Sequence, residues 1–593
     1  MIETTRDLTG LLWRRSEPVG DARGRRAVLA FLSPSTRIDN MDAMRRALGL
    51  GGEASVEQVL LEGWRVWGDE LANRLRGAFA FAIFEPQGQI LSLVRDISGL
   101  APLFYVAAPH RLAVAATSRM ARALFGQELS LDEVFHAEFL NSQSTTRGRT
   151  FFAGLSRLLP AHILEFSAAS NGEMRRYWSP HDAPRDVPCD HAAARFRKLF
   201  DRSVLRSFHS GKTAVLLSGG MDSSAILGAV TANGIAPSEI PCLTKTYRGT
   251  KGWSDAHYLD VLRNHFDLEL NEVPSDRHDP LEDIGEYLEL LDGPYLSYGH
   301  SVTAKLQKVA RAKGWTTLLS GHGGDEVVGY GSGRLNELAR AHRWLSVWRE
   351  TAGVAQLSRD SRLRFMRNYL THYPAYRPVE RLIRKILPDA QTAGDPSLSD
   401  RAEDLVGAEQ LTYVSLQSRR DHDERMLHLE ALESPMQPLA IESITQTSRA
   451  AGVVTEMPFY DRDLIEFSLS LPSHWKLRGG LTRFVLREAM RSRLPREVLE
   501  RGTKYDFTAP FVAGLSDKRE QVLDWTAGTH HLFRDLVNLD RLERVRDVLG
   551  RKGTELENDD ARFIWRCTVL CMWLDQFDPT VPPPELVPLL EPA

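Results

Sequence analysis

The sequence predicts a two-domain α/β protein: a largely β domain with interspersed helices over residues 1–180, then a domain built on a parallel sheet over 190–593. Three observations predict it. At 593 residues the chain is long enough for at least two hydrophobic cores. Its first part carries short apolar runs of strand length separated by turns: RAVLAFLS, AFAFAIFE, QILSLVRD, PLFYVAA and RLAVAATS. After a Pro- and Asp-rich joint at 179–192, SPHDAPRDVPCDHA, strand-like and helix-like segments alternate, which is the rhythm of βαβ units.

Taken in order, the second domain opens with a helical pattern, HAAARFRKLFDRSVLRSF, followed by the strand TAVLLS and the helix SSAILGAVTANG. The strand PCLTKTY, the helix SDAHYLDVLRNHF and the strand-like LELNEV come next, then the helix SVTAKLQKVARAKG and the strand TTLLS. Strands alternating with helices in this way imply βαβ units and a parallel sheet. Residues 331–450 read as mainly helical, with Pro-marked breaks and one polar stretch, DAQTAGDPSLSD. No internal repeat is visible.

Composition narrows the classes. With 42% hydrophobic residues, 26% charged residues and a net charge of −4, the chain reads as soluble and globular, without a dominant nucleic-acid footprint. It shows no signal-peptide design and no apolar run of spanning length, so a cytoplasmic protein without membrane partners is expected. The four cysteines, Cys189, Cys242, Cys567 and Cys571, are too sparse for a disulfide framework. Cys567 and Cys571 stand i,i+4 in FIWRCTVLCMWL. With no ligand partners at metal spacing, they read as buried thiols.

The chemistry concentrates in LLSGGMDSSAI (216–226). A strand, two glycines and a helix start bring backbone N–H groups and the helix dipole onto one anion. Gly219 and Gly220 allow close backbone approach, and Ser218, Ser223 and Ser224 add hydroxyls. Asp222 beside a phosphate would be repulsive without a bridging cation, so the loop predicts Mg2+. Upstream, SGKT (210–213) imitates the end of another phosphate loop. It lacks the leading glycine, where Arg206 stands, and precedes its strand, so it reads as a turn.

SGGMDSS resembles the pyrophosphate loop of the ATP-pyrophosphatase group, specifically the asparagine synthetase superfamily. Further segments in the same order carry the likeness: LLDGPYL (290–296), TTLLSGHGGDEVVGY (316–330), MPFYDRDLIEFSLSLPSHWK (457–476) and FVLREAMRSRLPREVLERGTKYDFTAP (484–510). The resemblance implies a doubly wound ATP-pyrophosphatase domain with helical additions, which activates a carboxylate as an acyl-adenylate for attack by an amine. It implies an ATP site made of Leu217, Ser218, Gly219, Gly220, Asp222, Ser223, Ser224, Thr244, Ser320 and Gly321. Asp222 and Asp325 would hold Mg2+, and Lys504 would face the α-phosphate and acyl centre. His322 stands where relatives carry Glu or Tyr. It is a candidate base, a hydrogen-bonding partner of the substrate or a packing residue. Ahead of PFYD, where an acid-x-arginine pattern often stands, the chain has Val454, Thr455 and Glu456. Glu456 falls at the arginine position and is a candidate substitute for the acid.

Residues 60–105 resemble the glutaminase domain of the same superfamily, an Ntn-type αββα sandwich, through Arg95, Asp96, Gly99 and Pro102. That domain uses a cysteine immediately after the initiator Met as nucleophile, whereas this sequence has Ile2. Glutamine hydrolysis is therefore expected to be absent. The resemblance narrows to enzymes that close intramolecular amides, a lasso-peptide cyclase or a β-lactam synthetase, with an ammonia-dependent asparagine synthetase as a further alternative. GHGGDE and the long helical region match the lasso cyclases better. That reading implies a precursor peptide as substrate and a leader peptidase and leader-binding protein as partners. The helical region would either enclose the peptide or pack as surface helices.

Overall fold

The computed structural model of the chain describes residues 2–5, 7–14, 27–109, 111–142, 147–167, 170, 172–187, 189–248, 255–276, 279–357, 361–363, 366, 397–407, 422–502, 508–528, 530–551, 556–577 and 584–588. Its N-terminal half is a sandwich of two antiparallel sheets. One has the order Leu155–Arg157, Phe104–Ala108, Arg111–Ala115, Gly10–Arg14, Ile2–Thr4, Val587–Pro588. The other runs Glu173–Arg176, His162–Phe166, Ile90–Arg95, Ala80–Glu85, Val28–Leu32. Strand alternation builds both sides at once. Leu11 and Trp13 point inward against Phe84, Leu91 and Leu93, while Leu12 faces the helices Ser118–Phe125 and Glu133–Leu140. On the other sheet Phe81 and Ile83 face outward onto Val59, Leu60 and Trp64 of the helix Val56–Trp67. The result is the expected αββα stack.

The second half holds the parallel sheet. In chain order its elements include β1 (Thr213–Leu216), α1 (Met221–Ala232), β2 (Cys242–Thr246), the helix Asp255–Phe266, β3 (Leu270–Pro274), α2 (Ile284–Leu291), α3 (His300–Ala312), β4 (Thr317–Leu319), α4 (Gly324–Val328), α5 (Met436–Ala450) and β5 (Val454–Glu456). The strand order is β3-β2-β1-β4-β5, parallel throughout. Both faces are covered, which explains the unbroken apolar runs. Val215, Cys242 and Leu319 pack with Ile226 and Val230 of α1, while Ala214, Leu243 and Leu318 pack with Leu306 and Ala310 of α3. β5 is absent from the sequence reading: at a sheet edge its one apolar residue, Val454, is exposed and the other two are polar, so it shows no apolar run.

The expected boundary at 179–192 does not separate two loosely joined bodies. Arg425 donates to the carbonyls of His181, Ala183 and Pro184, and Val187 N–H donates to Ser470 O. One hydrophobic cluster runs from Leu12, Leu124 and Phe139 into Leu288, Trp565 and Trp573. The last described strand, Val587–Pro588, pairs back onto Ile2–Thr4. Within 331–450 the described residues are helical over Gly333–Arg340, Trp344–Leu357, Asp400–Val406, Glu424–Leu432 and α5, while 367–396 and 408–421 lie outside the description. No helix among the described residues is long and apolar enough to cross a membrane. Cys567 and Cys571 are buried on the helix Asn558–Gln576, and burial pushes the Cys567 thiol up to about 12. The SGKT segment is a turn leading into β1, with Gly211 at φ 74°.

Candidate active site

Strand order reverses direction between β1 and β4. A crevice of this kind, beyond the carboxyl ends of the strands, is where open α/β sheets bind ligands. The loops leaving these two strands meet there. The first, Leu217 to Gly220, leads into α1, with Gly219 at φ 70°, where a β-carbon would stand 3.1 Å from Tyr258 Cβ. The Ser223 hydroxyl caps the loop, 3.1 Å from Ser218 N, and the Ser224 hydroxyl donates to Gly220 O at 2.7 Å. Ser224 is thus fully buried and shapes the turn, while Ser218 is exposed at its tip. In the second loop a β-carbon on Gly321 would stand 2.9 Å from Ser223 N, and one on Gly324 would stand 2.5 Å from the Asp222 carboxyl carbon. Both glycines are therefore demanded by contact between the loops.

That contact brings Asp222, in the first turn of α1, and Asp325, in the first turn of α4, to one point. Arg483 Nη1 lies 2.5 Å from Asp222 Oδ2 and 2.7 Å from Asp325 Oδ1. The two carboxylates hold this guanidinium more firmly protonated than usual despite its burial. Oxygen donors of this kind suit Mg2+, which is held through one or two carboxylates together with substrate phosphates. Asp222 and Asp325 would be its protein ligands. Among the described residues no three His, Cys, Asp or Glu side chains form a metal cluster, so the remaining positions would fall to phosphate oxygens and water.

Sequence reasoning missed Arg483. It stands just before the helix Phe484–Ala489, delivered by the hairpin Leu477–Arg478/Leu481–Thr482. One signal was legible: Arg483 and Arg487 are i,i+4 at the start of an apolar helix, and buried cations require counter-charges. Arg501 was missed too. It donates to Gly219 O at 2.9 Å, pairs with Asp255 and lies 4.1 Å over the Tyr258 ring, pinning the first loop from behind. Lys245, a single charge within PCLTKTY, is lowered by burial to about 8 against the pull of Asp255.

The remaining sequence candidates divide. Leu217 follows the last residue of β1, and its N–H donates to Leu243 O of β2. Thr244 is buried within β2. Ser320 N–H donates to Glu456 O across β4 and β5, and its hydroxyl accepts from His322 N–H. Lys504 lies outside the described residues. Glu456 stands apart from His322: its carboxylate pairs with Arg37 of the N-terminal domain, and it lines a separate cavity with Thr36, Arg37 and Arg449. Burial raises its pKa while Arg37 opposes the rise. Its side chain is thus a link between domains instead of a partner for His322, because alternation along β5 points it toward the sandwich.

His322 opens onto a cavity of about 490 Å3 between the two halves of the molecule. Its walls include Phe104, Phe139 and Phe151 from the sandwich, and Tyr295, His300 and Leu439 from the second domain. The interface around it is fastened by buried charges. Glu442 of α5 accepts from Arg95 at 3.2 Å and Arg157 at 2.6 Å, and Asp292, at the end of α2, is gripped by Arg122 at 2.7 and 2.9 Å.

The family model described as asparagine synthase matches residues 195–575, and that of a glutamine amidotransferase domain matches 35–178. The chain is similar to "Asparagine synthetase [glutamine-hydrolyzing] 3" of Bacillus subtilis (strain 168), 23% identical over 545 residues, spanning 85% of this chain and 80% of that protein. "Asparagine synthetase [glutamine-hydrolyzing] 1" of the same organism is 21% identical over 547 residues, spanning 87% of this chain and 80% of its own. "Amidase chyE" of Penicillium rubens is 25% identical over 311 residues, 48% of this chain and 45% of its own.

Proposed function

The chain belongs to the asparagine synthase family, and from that premise we propose an ATP-dependent, AMP-forming amide ligase that closes a macrolactam within a peptide, in the manner of the lasso-peptide cyclases it resembles. The observation that carries the ligase reading is the meeting of Asp222 and Asp325 at the switch point, above a loop shaped for a pyrophosphate. In this reading a side-chain carboxylate of the peptide attacks the α-phosphorus of ATP. The bond to pyrophosphate breaks, and an acyl-adenylate forms. The peptide's N-terminal amine then attacks the acyl carbon, forming the C–N bond and releasing AMP.

The chain's own groups have assigned tasks. Gly219, Gly220 and the start of α1 bind the departing pyrophosphate. Mg2+, bound at Asp222 and Asp325, would neutralise phosphate charge. His322, beside the reacting centre, takes the proton that the amine loses. Lys504, by resemblance, supports the α-phosphate.

Two features favour an internal amine over ammonia released from glutamine. No cysteine occurs among residues 1–188, which include the whole amidotransferase-like match, so these residues offer no thiol nucleophile. The cavity beside His322 is also far larger than ammonia requires. A leader peptidase and a leader-binding protein belong to this proposal as partners. The alternatives are a β-lactam synthetase or an ammonia-using asparagine synthetase. Incubation with ATP, Mg2+ and a peptide bearing a free N-terminus and an internal Asp or Glu should give AMP, pyrophosphate and a peptide lighter by one water. ADP as product would refute the adenylate route. Free aspartate plus ammonia supporting turnover that the peptide does not support would replace the cyclase reading.

A further inference from the structure

We propose that Glu424, His428 and Lys476 are positioning residues for the paired carboxylates: they form a buried polar brace that fixes the element carrying Asp325 against the element carrying Arg483. Two of the three come from the helical region, which thereby gains a role at the nucleotide site. The assignment rests on the reading of Asp222 and Asp325 as the ligands of Mg2+ and ATP.

The need for a brace is local. Asp325 rides on α4, which is only five residues long. A single helical turn bears the full cost of nucleation and gains little from propagation, so it has almost no stability of its own. Arg483 follows a hairpin of two-residue strands, Leu477–Arg478 and Leu481–Thr482, and itself sits at φ 53°, in the left-handed region. A two-stranded ribbon is marginal in isolation, and a non-glycine residue stays left-handed only where its surroundings hold it there. Neither carrier keeps its charge in place unaided.

The three side chains supply what both carriers lack. Glu424 and His428 stand i,i+4 on the helix Glu424–Leu432. The Glu424 carboxylate accepts from Gly331 N–H at 3.1 Å and Gly333 N–H at 2.8 Å, in the segment that leaves α4. His428 Nε2 lies 3.0 Å from Val327 O of α4. A carbonyl only accepts, so Nε2 carries the proton and Nδ1 accepts from Lys476 Nζ, at 2.8 Å. Lys476 immediately precedes the hairpin, and its carbonyl accepts from Phe484 N–H at 3.1 Å, one residue past Arg483. All three side chains converge on Gly329, at φ 85°: a β-carbon there would stand 3.3 Å from Glu424 Oε1, from His428 Nδ1 and from Lys476 Cδ. Gly329 N–H in turn donates to the carbonyl of Asp325. On the opposite side a β-carbon on Gly331 would lie 2.4 Å from Leu477 Cβ, so the segment after α4 and the hairpin touch backbone to backbone.

Burial makes the brace specific. Glu424, His428 and Lys476 are 3%, 2% and 1% exposed. Burial raises the Glu424 carboxyl and lowers the Lys476 ammonium, and each charge opposes the shift of the other. Burial also keeps His428 neutral, as an acceptor for Lys476 must be. Displacing any of these groups leaves a buried charge or N–H without its partner, so they hold one arrangement. Glu337 extends the link: its carboxylate accepts from Glu424 N–H at 3.0 Å and from the Ser473 hydroxyl at 2.5 Å, in the turn ahead of Lys476.

The test joins two measurements on the full chain. In the first, melting midpoints are read for Glu424→Gln, Arg483→Met and the double variant. Among the described residues Glu424 and Arg483 share no hydrogen bond or ion pair, so independent roles would give additive losses. Through the brace, the double loss should fall below two-thirds of the sum. Glu442→Gln, at the domain interface, is the control, and its loss should add to that of Arg483→Met. In the second, binding of ATP with Mg2+ is read by isothermal titration calorimetry. Glu424→Gln should weaken it at least tenfold and Glu442→Gln less than twofold, a split that lost stability alone would not produce. A smaller effect of Glu424→Gln, or additive midpoint losses, overturns the assignment. If Glu424→Gln does not fold, Glu424→Gln/Lys476→Met, which removes both buried charges at similar volume, replaces it in both measurements under the same criteria. A wild type that binds no ATP with Mg2+ while the midpoint losses stay non-additive would sink the nucleotide reading alone. Additive losses beside intact wild-type binding would sink the brace alone.

Discussion

Arg483→Met is the most informative perturbation of the paired loops. It keeps an unbranched stem but removes the cation shared by Asp222 and Asp325. The guanidinium is 4% exposed and each carboxylate 14% exposed, so solvent screens the cluster weakly. Both oxygens reach one nitrogen, at 2.5 and 2.7 Å, so they lie no more than about 5 Å apart. At an effective dielectric of about 20, two charges at that spacing repel by about 3 kcal/mol. That agrees with the ~3–5 kcal/mol typical of stripping one partner from a buried ion cluster. The variant should melt several degrees lower at pH 8. Mg2+, a second cation for the two carboxylates, should restore part of the deficit at pH 8. Differential scanning fluorimetry at pH 8, with and without Mg2+, measures both effects. A wild-type midpoint, or a deficit indifferent to Mg2+, would refute the shared-cation geometry.

Three further outcomes are expected. Glu442→Gln leaves Arg95 and Arg157 buried without their counter-charge and should cost about 3–5 kcal/mol, seen as a lowered melting midpoint; a neutral effect would mean the interface is not held there. Burial lowers His136 and His300 to about 4, below the ordinary 6.5. Between those values the unfolded chain binds more protons than the folded one, so stability is lost as pH falls from about 6.5 to 4, on the order of 3 kcal/mol per histidine. His300→Gln should flatten that acid limb in a midpoint-against-pH series, and an unchanged slope contradicts the assignment. Glu456→Gln should weaken the link to Arg37 yet keep ATP–pyrophosphate exchange within tenfold of wild type; loss of a thousandfold or more would return Glu456 to the catalytic set.

Local pattern made much of the molecule legible in advance. The period of apolar residues marked the strands and helices of the parallel sheet, because strand and helix each impose their own spacing on side chains facing a core. SGGMDSS announced a tight strand-to-helix turn because its backbone geometry is encoded within seven consecutive residues. Cys567 and Cys571 read as buried for the same reason of helical spacing. The edge strand Val454–Glu456 escaped because, unlike the equally short Thr317–Leu319, it has one exposed apolar residue and two polar ones and so carries no apolar run.

What sequence alone determined, then, is what resides in contiguous residues: the Gly-rich turn after β1, the acidic residues that open two helices, and the strand–helix alternation that carries them. Only the tertiary structure decided which distant groups meet them. Arg483 reaches Asp222 across 261 positions, Glu456 pairs with Arg37 away from the His322 cavity, and phenylalanines of one domain wall the cavity beside His322 of the other. Contacts of this kind depend on which surfaces the strand order and interdomain packing bring face to face. No local periodicity encodes that choice, because the same side chains satisfy their own helix or strand wherever the rest of the chain lies.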